Sequence, residues 1–201
     1  MKHRLSIASG LLLLTMAAPV MAQDAPDPDI AGAAALFKVA FAGRCGDSAF
    51  LPDYLDNPSV FPIAWKNEGE DEKTPEHRMK VFQFFCDNFA HFGSAAFIQK
   101  AEDGTFSVIS LAWPYGRFVK DENEESGIRR TGMEGFAAQD IVLGGDFNRE
   151  DNTISANTWD RYAEYYSIWK FHEGSFLFSE SDAYRIEDGK LTEKPAEPAE
   201  E

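Results

Sequence analysis

The chain has 201 residues and a formal net charge of −15, and its 17 Phe, 6 Tyr and 4 Trp supply bulky material for a core. A chain of this length forms one domain, or two small ones, and can bury about 70% of its unfolded surface. The acidity argues against nucleic acid and anionic lipid surfaces as partners, because both are polyanions.

In chain order, the first predicted element is a secretory signal. Lys2 and Arg4 give a positive start, Leu5 to Val20 is apolar around Leu11–Leu14, and Val20-Met21-Ala22 offers small residues before Gln23-Asp24 turns polar. Cleavage is expected after Ala22, and no Cys at that site suggests a lipid anchor. A membrane anchor is the alternative, but the apolar run is short for a span of ~20 residues. Removing 22 of 201 residues leaves 179 and shifts the formal charge from −15 to −17.

Residues 23–29 (QDAPDPD) read as a linker. Ile30 to Ala42 is rich in Ala and Leu, with Asp29 placed to cap its start and Gly43 to stop it, so a short helix is expected. Arg44 to Pro75 reads as an irregular segment pinned by Phe50, Tyr54, Phe61 and Trp65. From about Met79 strand formers dominate. Glu102-Asp103-Gly104 and His172-Glu173-Gly174 each separate two such runs, as in hairpins. Six or seven short strands are expected, with no solenoid or propeller period. The clusters Glu68–Glu72 and Asp121–Glu125 read as exposed loops. Residues 189–201, rich in Pro, Ala and Glu, read as a disordered acidic tail. The globular domain is thus expected over 30–188.

Cys45 and Cys86 are the two cysteines, and in an oxidising compartment such a pair joins as a disulfide. The alternatives are two free buried thiols or one reactive thiol. Gly46-Asp47-Ser48-Ala49 invites comparison with Gly-Asp-Ser-Leu hydrolases. However, Trp169 stands three residues before His172 where an Asp is needed, and no oxyanion block follows. His77, His91 and His172 carry no zinc spacing and read as surface or turn residues. Asp146, Asn148, Glu150 and Asn152 place oxygens at alternate positions, like half a calcium loop. Asp151 occupies the place where such a loop needs Gly, and Asn157 the place where it needs Glu, so a polar turn is the plainer reading. Trp159, Tyr162, Tyr165 and Tyr166 could line a groove or fill the core.

Phe82-Gln83-Phe84-Phe85-Cys86-Asp87-Asn88, Ser110-Leu111-Ala112-Trp113-Pro114, Asp146 to Ser155, and Trp169 to Leu177 together resemble the bacterial secreted proteins grouped as domain of unknown function 1176. The resemblance runs in pieces from Met79 to Tyr184. It departs at Asp160 to Tyr165, which lacks the family's Arg-Gly-x-Gly-Asp, and at His91-Phe92, where many members carry a second Cys. It implies a secreted location and no particular chemistry.

The reading is a mainly β protein, an antiparallel sheet, sandwich or open barrel with a short N-terminal helix. It works in the periplasm or outside the cell, binding an unknown protein or small molecule of the envelope without catalysis. An envelope hydrolase with an unrecognised carboxylate site is the alternative, and a calcium module a third. No catalytic, cofactor or metal residue is assigned, and no membrane span is expected after signal cleavage.

Overall fold

A computed structural model describes residues 27–89, 92–123, 128–159 and 164–194. Two helices, α1 (Ile30–Phe41) and α2 (Pro52–Leu55), are followed by β1 (Ser59–Trp65), β2 (His77–Phe89), β3 (Phe92–Lys100) and β4 (Phe106–Val108). Then come β5 (Leu111–Lys120), β6 (Ile128–Gln139), β7 (Val142–Asn148), β8 (Thr153–Trp159) and β9 (Glu164–His172). The last three are β10 (Ser175–Ser181), β11 (Tyr184–Glu187) and β12 (Lys190–Glu193). Among the described residues, ten strands form one antiparallel sheet in the order β1-β2-β3-β7-β8-β9-β10-β11-β12, with β4 also paired to β3, while β5 and β6 form a separate hairpin. The protein is mainly β and its large sheet is open rather than a closed barrel, as the sequence predicts. Residues 1–26, which hold the expected signal segment 1–22, and residues 195–201 lie outside the described residues.

The period-2 alternation of β2 and β3 sends side chains to two different cores. Phe82, Phe84, Cys86, Ala96 and Ile98 face α1, where Ala33, Phe37 and Phe41 meet them. Phe37 and Phe41 are fully buried; burial of this kind contributes about 1.5–3 kcal/mol per large side chain. Met79, Val81, Ala95 and Phe97 face the other way, into the larger core with Phe147, Ile154, Tyr165 and Trp169. The sheet coils strongly around that core. Phe61 of β1 stacks on Phe147 of β7 at 4.3 Å, and Trp65 of β1 meets Phe171 of β9 at 5.0 Å. The turn after β7 crosses the same gap, with Arg149 over the Phe61 ring at 4.8 Å and donating to the Val60 carbonyl. The β5–β6 hairpin lies over the interior. Leu111 and Trp113 are buried there, and Trp169 Nε1 donates to the Ala112 carbonyl at 2.6 Å.

The two expected hairpins form. Glu102-Asp103-Gly104 joins β3 to β4 with Gly104 at φ +86°, and Glu173-Gly174 joins β9 to β10 with both residues at positive φ. Helix α1 spans the expected run, and Gly43 at φ +72° ends it. Several expectations need correction. Asp29 makes no side-chain cap; its carboxylate instead takes the ammonium groups of Lys80 and Lys100 at 2.8 and 2.5 Å. A charge-assisted bond across the sheet outweighs a cap here. The irregular segment contains a full strand, β1, paired with β2 from Ser59↔Gln83 to Trp65↔His77. Pro62 is tolerated because β1 is an edge strand. Of the four expected anchors there, only Phe61 is buried, and Tyr54 is exposed. Residues 189–193, expected to belong to a disordered tail, are structured. Asp188-Gly189 turns the chain at positive φ, Lys190–Glu193 pair with β11, and Leu191 packs on the core.

Candidate functional site

Cys45 and Cys86 form a disulfide, with Cα atoms 4.8 Å apart, joining the turn after α1 to β2. Next to it the Gly46 amide donates to the Cys86 carbonyl at 3.0 Å. The Gly-Asp-Ser-Ala block therefore serves as a junction. Ser48 is exposed on the single 3₁₀ turn Asp47–Phe50, and its hydroxyl bonds no histidine or carboxylate among the described residues.

Where the sheet bends from β3 to β7 the ladder is short, with only Ser94↔Leu143 and Ala95↔Val142 paired. Past that point β7 bulges between Leu143 and Asp146. Gly144 adopts φ +57°, and a Cβ on Gly145 would meet Val142 Cγ2 at 2.7 Å, so the bulge needs both glycines. The divergence leaves a cleft of about 450 Å³ at the end of the concave interior. Tyr54, Asn57 and Ser59 form one wall, Gln83, Phe85 and Ser94 the floor, and Gly144–Asp146 the other wall. Tyr54 stacks on Phe85 at 4.8 Å, and Gln83 Nε2 donates to the Gly145 carbonyl at 3.0 Å, fixing both floor and bulge. The cleft thus lies at the mouth of the coiled sheet, with Asn57, Gln83 and Ser94 set around the aromatic surface of Tyr54 and Phe85.

A second depression of about 490 Å³ lies on the outer face of β7–β10 and shares Asp146 with the first. Registers Asp146↔Ser155 and Ser155↔Ile168 run a row across it, and Tyr166 and Lys170 border it. Asp146 thus stands where the two meet. Its carboxylate makes no hydrogen bond or ion pair with any described residue.

The four alternating oxygens do not converge. Asn148 Oδ1 accepts the Glu150 amide at 2.9 Å and caps the β7–β8 turn, and Asn152 sits at φ +52° to close it. Among the described residues, no three His, Cys, Asp or Glu side chains are grouped to hold a metal. Of the four aromatic candidates, Tyr165 is core and Tyr166 borders the outer depression. Tyr162 and the side chain of Trp159 lie outside the described residues, as does His91.

His77, which the sequence marks as a surface or turn residue, is partly exposed and sits in a polar knot. Its Nε2 meets Glu70 at 2.9 Å, its Nδ1 meets Glu102 at 3.3 Å, and its ring stacks on Trp65. Glu70 first, then Glu102, raises the His77 pKa, and His77 in turn holds Glu70 low. The knot ties the acidic 66–76 loop to the sheet. Lys80 does the same for the N-terminal segment through Asp27 and Asp29, each held below the usual carboxylate range by its lysine partners.

The cleft residues come from five separate segments, so the sequence carries no local signal for them. Tyr54 and Asp146 stand out in the sequence singly, as a pinning aromatic and as one of four alternating oxygens, and nothing there brings them together. Among the described residues no helix is long and apolar enough to cross a membrane. No family model, curated protein or solved structure matches this chain.

Proposed function

We propose that this is a non-catalytic binding protein of the periplasm that takes a small polar ligand in the cleft between β3 and β7. One observation carries the reading: the lining has one carboxylate, Asp146, and no His, Lys, Arg or Cys. That set offers a binding surface but no acid–base pair and no activated nucleophile. The Cys45–Cys86 bond suits an oxidising compartment, and the signal-like N-terminus and the resemblance to domain of unknown function 1176 support the same address.

The test is retention. Protein purified from the periplasmic fraction is incubated with the small-molecule fraction of envelope extract, separated on a sizing column, and analysed by mass spectrometry. A compound retained by the native protein, and lost with Tyr54→Ala and Asp146→Ala, is the expected result. Equal retention by both variants, or chemical conversion of the retained compound, contradicts the reading, as does recovery of the protein in the cytoplasmic fraction.

A further inference from the structure

Resting on that reading, we infer that the cleft binds a neutral saccharide, with one sugar ring on Tyr54 and its hydroxyl groups turned toward Asp146.

Charge sets the first limit. In a chain of net charge −15, the one charged group lining the cleft is the Asp146 carboxylate. A phosphate or carboxylate ligand would meet no counter-charge and a like charge. Hydrogen-bond bookkeeping sets the second. Gln83 gives one Nε2 hydrogen to the Gly145 carbonyl and Asn57 one Nδ2 hydrogen to the Asp53 carbonyl, so each amide keeps a second N–H and its oxygen. The lining therefore offers donors and acceptors side by side. Hydroxyl groups both donate and accept, and they are the neutral groups of that kind that come in convergent sets.

Shape sets the third limit. Tyr54 is braced from behind by Phe85 and is 44% exposed, so one broad aromatic face is open to solvent. The CH-lined face of a pyranose offers flat apolar area to such a ring, while its rim offers hydroxyls. A compact ammonium ion would favour a cage of several aromatic faces, and here two rings stack on each other and leave one. Lys170 in the adjoining depression also disfavours a cation that extends past Asp146.

The test is an amide-resolved NMR titration of the full secreted chain. The titrants are cellotetraose, maltotetraose and the β-1,4 trimer of N-acetylglucosamine, with spermidine and tetra-alanine as non-saccharide probes. The inference predicts that at least one oligosaccharide saturably shifts Ser94, Ala95 and Gly144 to Asp146. It also predicts that Tyr54→Ala weakens that binding about tenfold, while unaltered spectral dispersion shows the variant folded. Cleft shifts produced only by spermidine or tetra-alanine overturn the saccharide inference and leave the binding reading standing. Oligosaccharide shifts confined to α1 or the β5–β6 hairpin overturn the inference as well. No shift with any titrant, together with no retained compound from envelope extract, overturns both.

Discussion

Removing the Cys45–Cys86 bond should cost a large share of this protein's stability. The bond spans a sequence separation of 41, so the closed loop contains 42 residues. Chain entropy for a loop of that length gives about 4 kcal/mol at 25 °C. Typical net stabilities are about 5–15 kcal/mol. At about 2–4 °C per kcal/mol for a chain of this size, the midpoint should fall by roughly 8–16 °C. The loss should also be uneven. Cys45 anchors the turn after α1, and Cys86 belongs to the core that α1 covers. Among the described residues, β7–β10 contributes no side chain to that core, so its strands should persist. Cys45→Ala with Cys86→Ala avoids placing hydroxyls in an apolar site. Calorimetry gives the midpoint, circular dichroism the retained β signal, and hydrogen exchange the faster opening of α1 relative to β8 and β9. A midpoint shift below about 2 °C would refute the entropic reasoning. Alkylation of both cysteines in native protein without prior reduction would refute the bond itself.

Four other outcomes follow from particular contacts. Charge on His77 is favoured by Glu70 and Glu102, so its contribution is complete below the ordinary value of 6.5 and is lost as pH rises through the raised folded value. The Glu70 contribution is present above its ordinary 4.5 and is lost as pH falls through the depressed one. Melting curves from about pH 6 to 8.5 should decline for the native chain and flatten in His77→Gln. Trp169 donates to Ala112, whereas Trp113 Nε1 is buried with no acceptor among the described residues. Urea titration should therefore show Trp169→Phe more destabilising than Trp113→Phe, by about 2 kcal/mol. Truncation after Lys190 removes Leu191 from the core and the Lys194 amide from the Ala183 carbonyl. It should cost about 2 kcal/mol, read by the same titration. Calorimetry with calcium should give no saturable micromolar isotherm, because Asn148 is engaged in its own turn; a one-to-one site lost in Asp146→Ala would contradict this.

The elements legible in the sequence were those coded locally. Gly43, Glu102-Asp103-Gly104 and Glu173-Gly174 each impose a backbone conformation that few other residues accept, and each stands where it was read. The pairing of Cys45 with Cys86 followed from there being no other cysteine partner in the chain. What stayed hidden depended on distant neighbours. Ser59–Trp65 carries Pro62 and lies among turn formers, and it becomes a strand because β2 supplies the ladder. Lys190–Glu193 is too polar to announce itself, and it pairs because Asp188-Gly189 folds it onto β11. Asp29 sits at a cap position, yet two lysines more than fifty residues away claim its carboxylate. The cleft is the extreme case. Its residues span Tyr54 to Asp146, and they meet only because a two-glycine bulge lets β7 swing away from β3.

The most direct measurement is hydrogen exchange of the native protein with and without the small-molecule fraction of envelope extract, resolved to short peptides. Slowed exchange at Ser94–Ala95 and Gly144–Asp146, with α1 and the β5–β6 hairpin unchanged, is the predicted result. Protection confined to α1 or that hairpin, or no change anywhere, would contradict a binding site at the mouth of the sheet.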